Sequence, residues 1–237
     1  MVGRLALVGS GEYLPALREV EDWLFADNRR VYVQIATAAA PEGDQRLRYW
    51  HDLGKQSADR LGAQQVIVDI RNRADAEDAR WVPLIESAGL IYLSGGNPTF
   101  LTETLRDTPA WAAIQRTWRQ GAGLAGCSAG AMAMGGTVQH FRHPRRDPLI
   151  GLGVVPDVRV FPHFDRYTRW LPDLALRPFA GKEGMMLGID EDTALVAAEP
   201  AEGTEWSFRV EGRQGAYVIT RDGVEPIEDT ISLRVHS

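Results

Sequence analysis

Five short apolar runs, each followed by a longer stretch of helical character, constrain this chain more than any other feature. They are "RLALVGSG" (4–11), "VYVQIATA" (31–38), "QVIVDI" (65–70), "GLIYLSGG" (89–96) and "AGLAGCS" (122–128). Between them lie the helix candidates 13–26, 43–62, 74–87 and 98–120, the second with Leu47, Trp50, Leu53 and Leu61. Strands that alternate with helices form βαβ units, whose parallel sheet is covered on both faces. The pattern predicts a three-layer α/β sandwich with a mostly parallel central sheet. In such sheets ligands bind beyond the carboxyl ends of the strands.

After about residue 150 the texture changes to short strands separated by turns: "MMLGID" (185–190), "TALVAAE" (193–199), "TEWSFRVEG" (204–212) and "GAYVITRDG" (215–223). No polar linker separates the two halves. A single domain over 1–237 is expected, its C-terminal strands forming a mixed or antiparallel extension of the same sheet.

Composition narrows the function classes. The 237 residues are 44% hydrophobic and 24% charged, a soluble globular balance, and suffice for a full core. A net charge of −6 supplies no electrostatic reason for a nucleic acid or an anionic membrane as partner. The N-terminal apolar run is of strand length and lacks the form of a signal peptide, and no apolar stretch is long enough to span a bilayer. One cysteine excludes an internal disulfide and any multi-cysteine metal site. A cytoplasmic protein without a metal is the expectation.

The chemistry concentrates in "GLAGCSAGAMAMGG" (123–136). Gly126-Cys127-Ser128-Ala129-Gly130 fits G-x-S-x-G, the nucleophile elbow between a strand and a helix. The demand is steric: a residue at the apex of a sharp turn needs minimal side chains two positions before and after it. The following helix then presents its first amides and its dipole to the reacting oxygen. The bland alternative is a tightly packed helix start with Ser128 as N-cap. Cys127 is the rival nucleophile, but its flanks at the same offsets are alanines. As the apex neighbour it is expected to face the core.

A serine hydroxyl needs a base, and a histidine base needs a carboxylate to hold its tautomer. The histidines are His51, His140, His143, His163 and His236. His51 falls mid-helix and His236 beside the terminus, whereas His163 ends the β-branched run "VRVFPHF". For the acid, Asp147 is the one carboxylate in the loop "QHFRHPRRDPLIG" (139–151), and Asp190, ending "MMLGID", is the alternative. Asp165 lies too close to His163 along the chain to orient it easily. An oxyanion hole needs two convergent N–H groups. Ala129 offers one, and Gly95 or Gly96 in "LSGGNP" the other.

With "GSGEY", "YLSGGNPTFL", "GLAGCSAGA", "GLGVVPDVRVFPHF" and "GIDEDTAL" in this order, the chain resembles the peptidase E and cyanophycinase family of serine peptidases. The resemblance runs from about residue 3 to about residue 200. It implies a glutamine amidotransferase-like fold, a Ser-His-acid triad, and hydrolysis of an amide bond after an aspartyl residue of a small peptide or isopeptide. It implies no metal and no organic cofactor, and suggests a homodimer. By motif, Ser128 is the nucleophile, His163 the base and Asp147 the acid. Gly95 and Gly96 are the oxyanion-side residues, and Asn97, Arg166 and Arg169 contact substrate. Two positions depart from the cyanophycinase pattern: Pro98 stands where "GGNQ" has glutamine, and "FPHF" replaces "DQHF".

Two further readings compete. One keeps the fold as a small-ligand or partner-binding module with a decayed triad. The other is an α/β-hydrolase esterase, disfavoured because no HGGG-type stretch appears and no suitable histidine lies near the C-terminus.

Overall fold

The computed structural model describes residues 1–26, 29–139, 147–168, 184–200 and 203–236. Its N-terminal half follows the alternation of strands and helices. β1 (Leu5–Val8) leads to α1 (Arg18–Phe25), β2 (Val31–Ile35) to α2 (Asp44–Arg60), and β3 (Gln64–Ile67) to α3 (Arg73–Ala76) and α4 (Val82–Glu86). β4 (Leu90–Leu93) precedes α5 (Pro98–Leu105) and α6 (Pro109–Arg119), and β5 (Gly123–Cys127) precedes α7 (Ala129–Met134). The remaining elements are β6 (Thr137–Val138), β7 (Leu149–Ile150), β8 (Val158–Pro162), α8 (Phe164–Thr168), β9 (Met185–Ile189), β10 (Thr193–Ala197), β11 (Glu205–Gly212), β12 (Ala216–Ile219), β13 (Val224–Pro226) and β14 (Thr230–Arg234).

The stretch 98–120, expected as one helix, is two. Arg106 leaves the helical region with ψ 134°, and Thr108, extended ahead of Pro109, starts α6 by accepting the Trp111 N–H at 3.2 Å. Proline disfavours helix in the residue before it and is well placed at a first turn, so the break is local chemistry. The 74–87 stretch is also broken, here by a cap without proline: Asp78 accepts the Arg80 N–H at 2.9 Å to begin a new turn.

Among the described residues the main sheet has eight strands in the order β14-β11-β10-β1-β5-β4-β2-β3. β1, β5, β4, β2 and β3 are parallel neighbours, and β10, β11 and β14 add an antiparallel flank. Side-chain alternation sorts β1 into both cores. Leu5 and Leu7 join a core built with α5, α6, α7 and the second sheet, while Ala6 and Val8 pack with α1 and the end of α2. Helices therefore cover both faces, as a run apolar on both sides requires.

Of the C-terminal strands, β10, β11 and β14 form the expected antiparallel extension of the main sheet, and the others do not. β9, β12 and β13 join β8 in a separate four-stranded sheet, β13-β12-β9-β8, packed over the main one. β8 and β9 run parallel with Pro162 opposite Ile189, so the residues that follow each strand emerge side by side. Gly9, just after β1, is the seam. A Cβ there would lie 2.1 Å from the Asp190 carbonyl oxygen, so only glycine lets the two layers approach this closely. Among the described residues, no helix is long and apolar enough to cross a membrane.

Candidate active site

The carboxyl ends of β1, β5 and β4 are adjacent, because β5 is registered between the other two, with Val8 opposite Cys127 and Leu93 opposite Gly126. Ser128 thus leaves the sheet flanked by the "GSGEY" turn on one side and "SGGNP" on the other. It has φ 48° and ψ −104°, a conformation that costs a non-glycine residue of order 1–3 kcal/mol and persists only where surroundings enforce it. The flanking glycines show the enforcement. A Cβ on Gly126 would lie 2.6 Å from the Gly130 carbonyl carbon, and one on Gly130 would lie 2.3 Å from the Leu93 oxygen. The small residues of the motif let helix α7 close directly onto β4 and β5.

Ser128 Oγ lies 3.1 Å from His163 Nε2, and His163 Nδ1 lies 2.8 Å from Glu191 Oε1. His163, at the end of β8, also has positive φ, at 52°. Hydroxyl, imidazole and carboxylate form a continuous relay, each side chain partly exposed. Such an arrangement lets the imidazole take the hydroxyl proton while the carboxylate holds Nδ1–H and stabilises the imidazolium.

The carboxylate is neither of the two expected. Asp147 is exposed ahead of β7, and the hydrogen-bond partners of His163 are Ser128 and Glu191. Asp190 is buried. Its Oδ2 accepts from the Gly215 N–H at 3.1 Å and the Tyr217 hydroxyl at 3.3 Å, and burial raises its pKa. The one-residue step from Asp190 to Glu191 turns the side chain from the second sheet toward His163. The quoted "GIDEDTAL" contained the signal, since it carries the third carboxylate beside Asp190.

Glu191 is held from every side. Its N–H donates to Asp165 Oδ1 at 3.0 Å, and its carbonyl accepts from Thr193 Oγ1 at 3.1 Å and Gln214 Nε2 at 2.9 Å. Its Oε1 also forms an ion pair with Arg166, Nε lying at 2.9 Å. Asp165, set aside for its proximity to His163 in sequence, reaches the main chain of the acid from the first turn of α8. Arg166, expected on substrate, is tied to the same carboxylate while 69% of its side chain remains exposed. Arg169 lies outside the described residues, as do His140 and His143.

Around the apex, Ala129 is the first residue of α7, where amides have no intrahelical partner. Of the two glycines expected to face an oxyanion, Gly95 donates its N–H to the buried Glu12 at 2.9 Å. The neighbouring Gly96 is exposed, with φ 140°. Asn97 caps α5 through Oδ1, which accepts the Phe100 N–H at 3.1 Å. Its side-chain N–H₂ keeps both donors, and the residue is exposed beside Gly96. Cys127 is fully buried with Sγ 2.8 Å from Glu12 Oε2, and burial, reinforced by that carboxylate, raises its pKa well above the ordinary thiol value. A thiol held neutral and away from solvent is a poor nucleophile. Among the described residues, no group of three or more His, Cys, Asp or Glu could hold a metal ion.

Comparison with known proteins agrees with the architecture. The chain is 30% identical over 207 residues to the cyanophycinase of Nostoc sp. (strain PCC 7120 / SAG 25.82 / UTEX 2576), covering 80% of this chain and 66% of that protein. It is 30% identical over 199 residues to the cyanophycinase of Synechococcus elongatus, covering 79% and 58%. The chain therefore spans less than two thirds of the length of these relatives. A crystal structure of a peptidase from an acI-B1 Actinobacterium superposes with TM-score 0.85 at 39% identity, covering 99% of this chain and 97% of the other. A putative peptidase E protein from Listeria monocytogenes EGD-e, 18% identical with both chains fully covered, shares the fold at TM-score 0.59. The model of peptidase family S51 matches residues 5–201, and with the strand order and elbow described above it establishes that this chain belongs to peptidase family S51.

Proposed function

We propose that this chain is a serine peptidase that hydrolyses a small peptide or isopeptide through an acyl-enzyme, with Ser128 as nucleophile, His163 as base and Glu191 as the orienting acid. The observation that carries the reading is the relay of 3.1 Å from Ser128 Oγ to His163 Nε2 and 2.8 Å from His163 Nδ1 to Glu191 Oε1. His163 takes the Ser128 proton as Oγ attacks the carbonyl, then returns it to the leaving amine. Water, deprotonated by the same imidazole, hydrolyses the ester. The N–H groups of Ala129 and Gly96 stabilise the tetrahedral oxyanion.

An acidic residue on the acyl side is the proposed preference. Arg166 reaches Glu191 through Nε alone among the contacts seen, and a guanidinium has four further N–H donors for a substrate carboxylate. The resemblance to cyanophycinases and to peptidase E supports an aspartyl residue there. Pro98 and Phe161-Pro162, where the cyanophycinase pattern has polar residues, weigh toward a small peptide over cyanophycin itself. No observation among the described residues favours a decayed, ligand-binding module.

The test is hydrolysis of a panel of α- and β-aspartyl dipeptides beside neutral ones, with fluorophosphonate labelling in parallel. Labelling of the wild type that disappears in Ser128→Ala, with turnover confined to aspartyl substrates, is expected. A wild type that neither labels nor hydrolyses any member overturns the reading.

A further inference from the structure

Glu12 lies outside the relay, yet its carboxylate is at the centre of the site. It is 5% exposed, and both oxygens are engaged: Oε1 accepts the Gly95 N–H at 2.9 Å and Oε2 accepts from the Cys127 thiol at 2.8 Å. Gly95 immediately precedes Gly96, and Cys127 precedes the nucleophile Ser128 and then Ala129; the Gly96 and Ala129 amides are the pair proposed to hold the oxyanion. β5 lies between β1 and β4, so Glu12 reaches from the end of β1, past the elbow, to the turn after β4. Gly95 sits between carboxylate and nucleophile. A Cβ built there would be 2.8 Å from Glu12 Oε1 and 3.5 Å from Ser128 Cβ.

The turn that carries Glu12 is itself anchored at several points. The Tyr13 hydroxyl lies 2.6 Å from Ser94 Oγ, so two consecutive residues of "GSGEY" grip two consecutive residues of "SGGNP". The Tyr13 N–H donates to the buried Glu21 at 3.1 Å, and its carbonyl accepts from Arg60. On the other side the Asp192 N–H donates to the Ser10 carbonyl at 3.2 Å, joining the turn to the segment that bears Glu191. Tyr13 has φ 65°, a strained value for a bulky residue, which these contacts hold in place.

We propose that Glu12 is a positioning residue. By holding the Gly95 amide inward and the elbow strand beside it, it presets the Gly96 and Ala129 amides for the oxyanion. This rests on the peptidase reading above and names the residue that preorganises its electrophilic half. Without Glu12, the Gly95 N–H is a buried donor with no acceptor, and its peptide plane turns to find one. That rotation carries the Gly96 amide with it. The effect belongs to the transition state and leaves ground-state substrate binding nearly unchanged.

The experiment compares wild type, Glu12→Ala and Glu12→Gln by dipeptide kinetics, fluorophosphonate labelling, thermal melting and amide hydrogen exchange of the 94–97 turn. Removing one oxyanion donor in a serine peptidase lowers kcat about 10²–10³-fold, so Glu12→Ala is expected to lose about 10²-fold in kcat and in labelling rate with KM within about threefold. Exchange at Gly95 accelerates. Glu12→Gln keeps an acceptor for the Gly95 N–H and recovers most of kcat; a residue needed only for folding would move Tm and KM instead. Glu12→Ala that retains kcat within about threefold, or exchange at Gly95 unchanged from wild type, overturns the proposal. Should Glu12→Ala fail to fold, Glu12→Asp decides, since its shorter side chain cannot span both partners; wild-type kcat there overturns the proposal. A wild type that does not label defeats the peptidase reading alone, while exchange at Gly95 still judges the brace.

Discussion

Replacing Glu191 with glutamine tests the relay at the link the sequence left open. In the structure Glu191 Oε1 is hydrogen-bonded to His163 Nδ1 and ion-paired with Arg166, so a glutamine can turn its carbonyl oxygen to the imidazole and keep that bond. The imidazole tautomer survives, and what disappears is the negative charge beside the imidazolium that forms in the transition state. With charge centres about 4 Å apart and an effective dielectric of about 20, suited to a pair near the surface, that attraction is about 4 kcal/mol. At 1.36 kcal/mol per tenfold in rate this is about 10³-fold in kcat. Arg166 shares the carboxylate and offsets part of the attraction already, so the loss is expected at or somewhat below 10³, less than a change that also breaks the tautomer.

The assay is steady-state hydrolysis of an aspartyl dipeptide by wild type, Glu191→Gln and Asp147→Ala, with thermal melting to confirm equal folding. Glu191→Gln is expected to lower kcat with little change in KM, and Asp147→Ala to leave both unchanged. The reasoning is refuted if Glu191→Gln stays within about tenfold of wild type while Asp147→Ala falls by orders of magnitude.

Two further outcomes follow from buried titrating groups. Cys127, fully buried and with its thiol pKa raised, is expected to resist iodoacetamide in the native protein and to react once it is unfolded; rapid native alkylation would mean the elbow packs differently. Glu21 is buried, with Tyr13, Tyr32 and Ser57 as hydrogen-bond partners, and burial pushes its pKa from 4.5 up to about 7. A carboxyl with a raised folded-state pKa binds its proton more tightly when folded. Its destabilising effect is therefore absent below the unfolded pKa, grows as pH rises from about 4.5 to about 7, and is complete above that, reaching about 3 kcal/mol. Differential scanning calorimetry of Glu21→Gln should show a smaller loss of Tm between about pH 5 and pH 8 than wild type; parallel curves would contradict the burial argument.

The fold was legible because its signals are local. Runs such as "VYVQI" and "GLIYL" are apolar on both faces, and that alone demands cover on both sides. Prolines 98 and 109 and the caps before them are equally local, yet the helix 98–120 reads as continuous unless proline's effect on its predecessor is weighed. The elbow was legible for the same reason as the strands: Gly126 and Gly130 meet atoms of the helix that follows directly or of the adjoining strand. The acid was not. Asp147, Asp190 and Glu191 are equivalent as carboxylates in a sequence, and the choice among them depends on where β9 lies relative to β8.

Sequence alone determined the alternation that makes the sheet, the small residues that force the turn at Ser128, and the candidacy of His163. Tertiary structure decided which carboxylate meets the imidazole, which glycine amide Glu12 engages, and that Glu12 joins two strand ends. The reason is geometric. The first set follows from sterics and periodicity over a few residues, whereas the second depends on the parallel register of β8 with β9 and on the insertion of β5 between β1 and β4, pairings made between segments far apart along the chain.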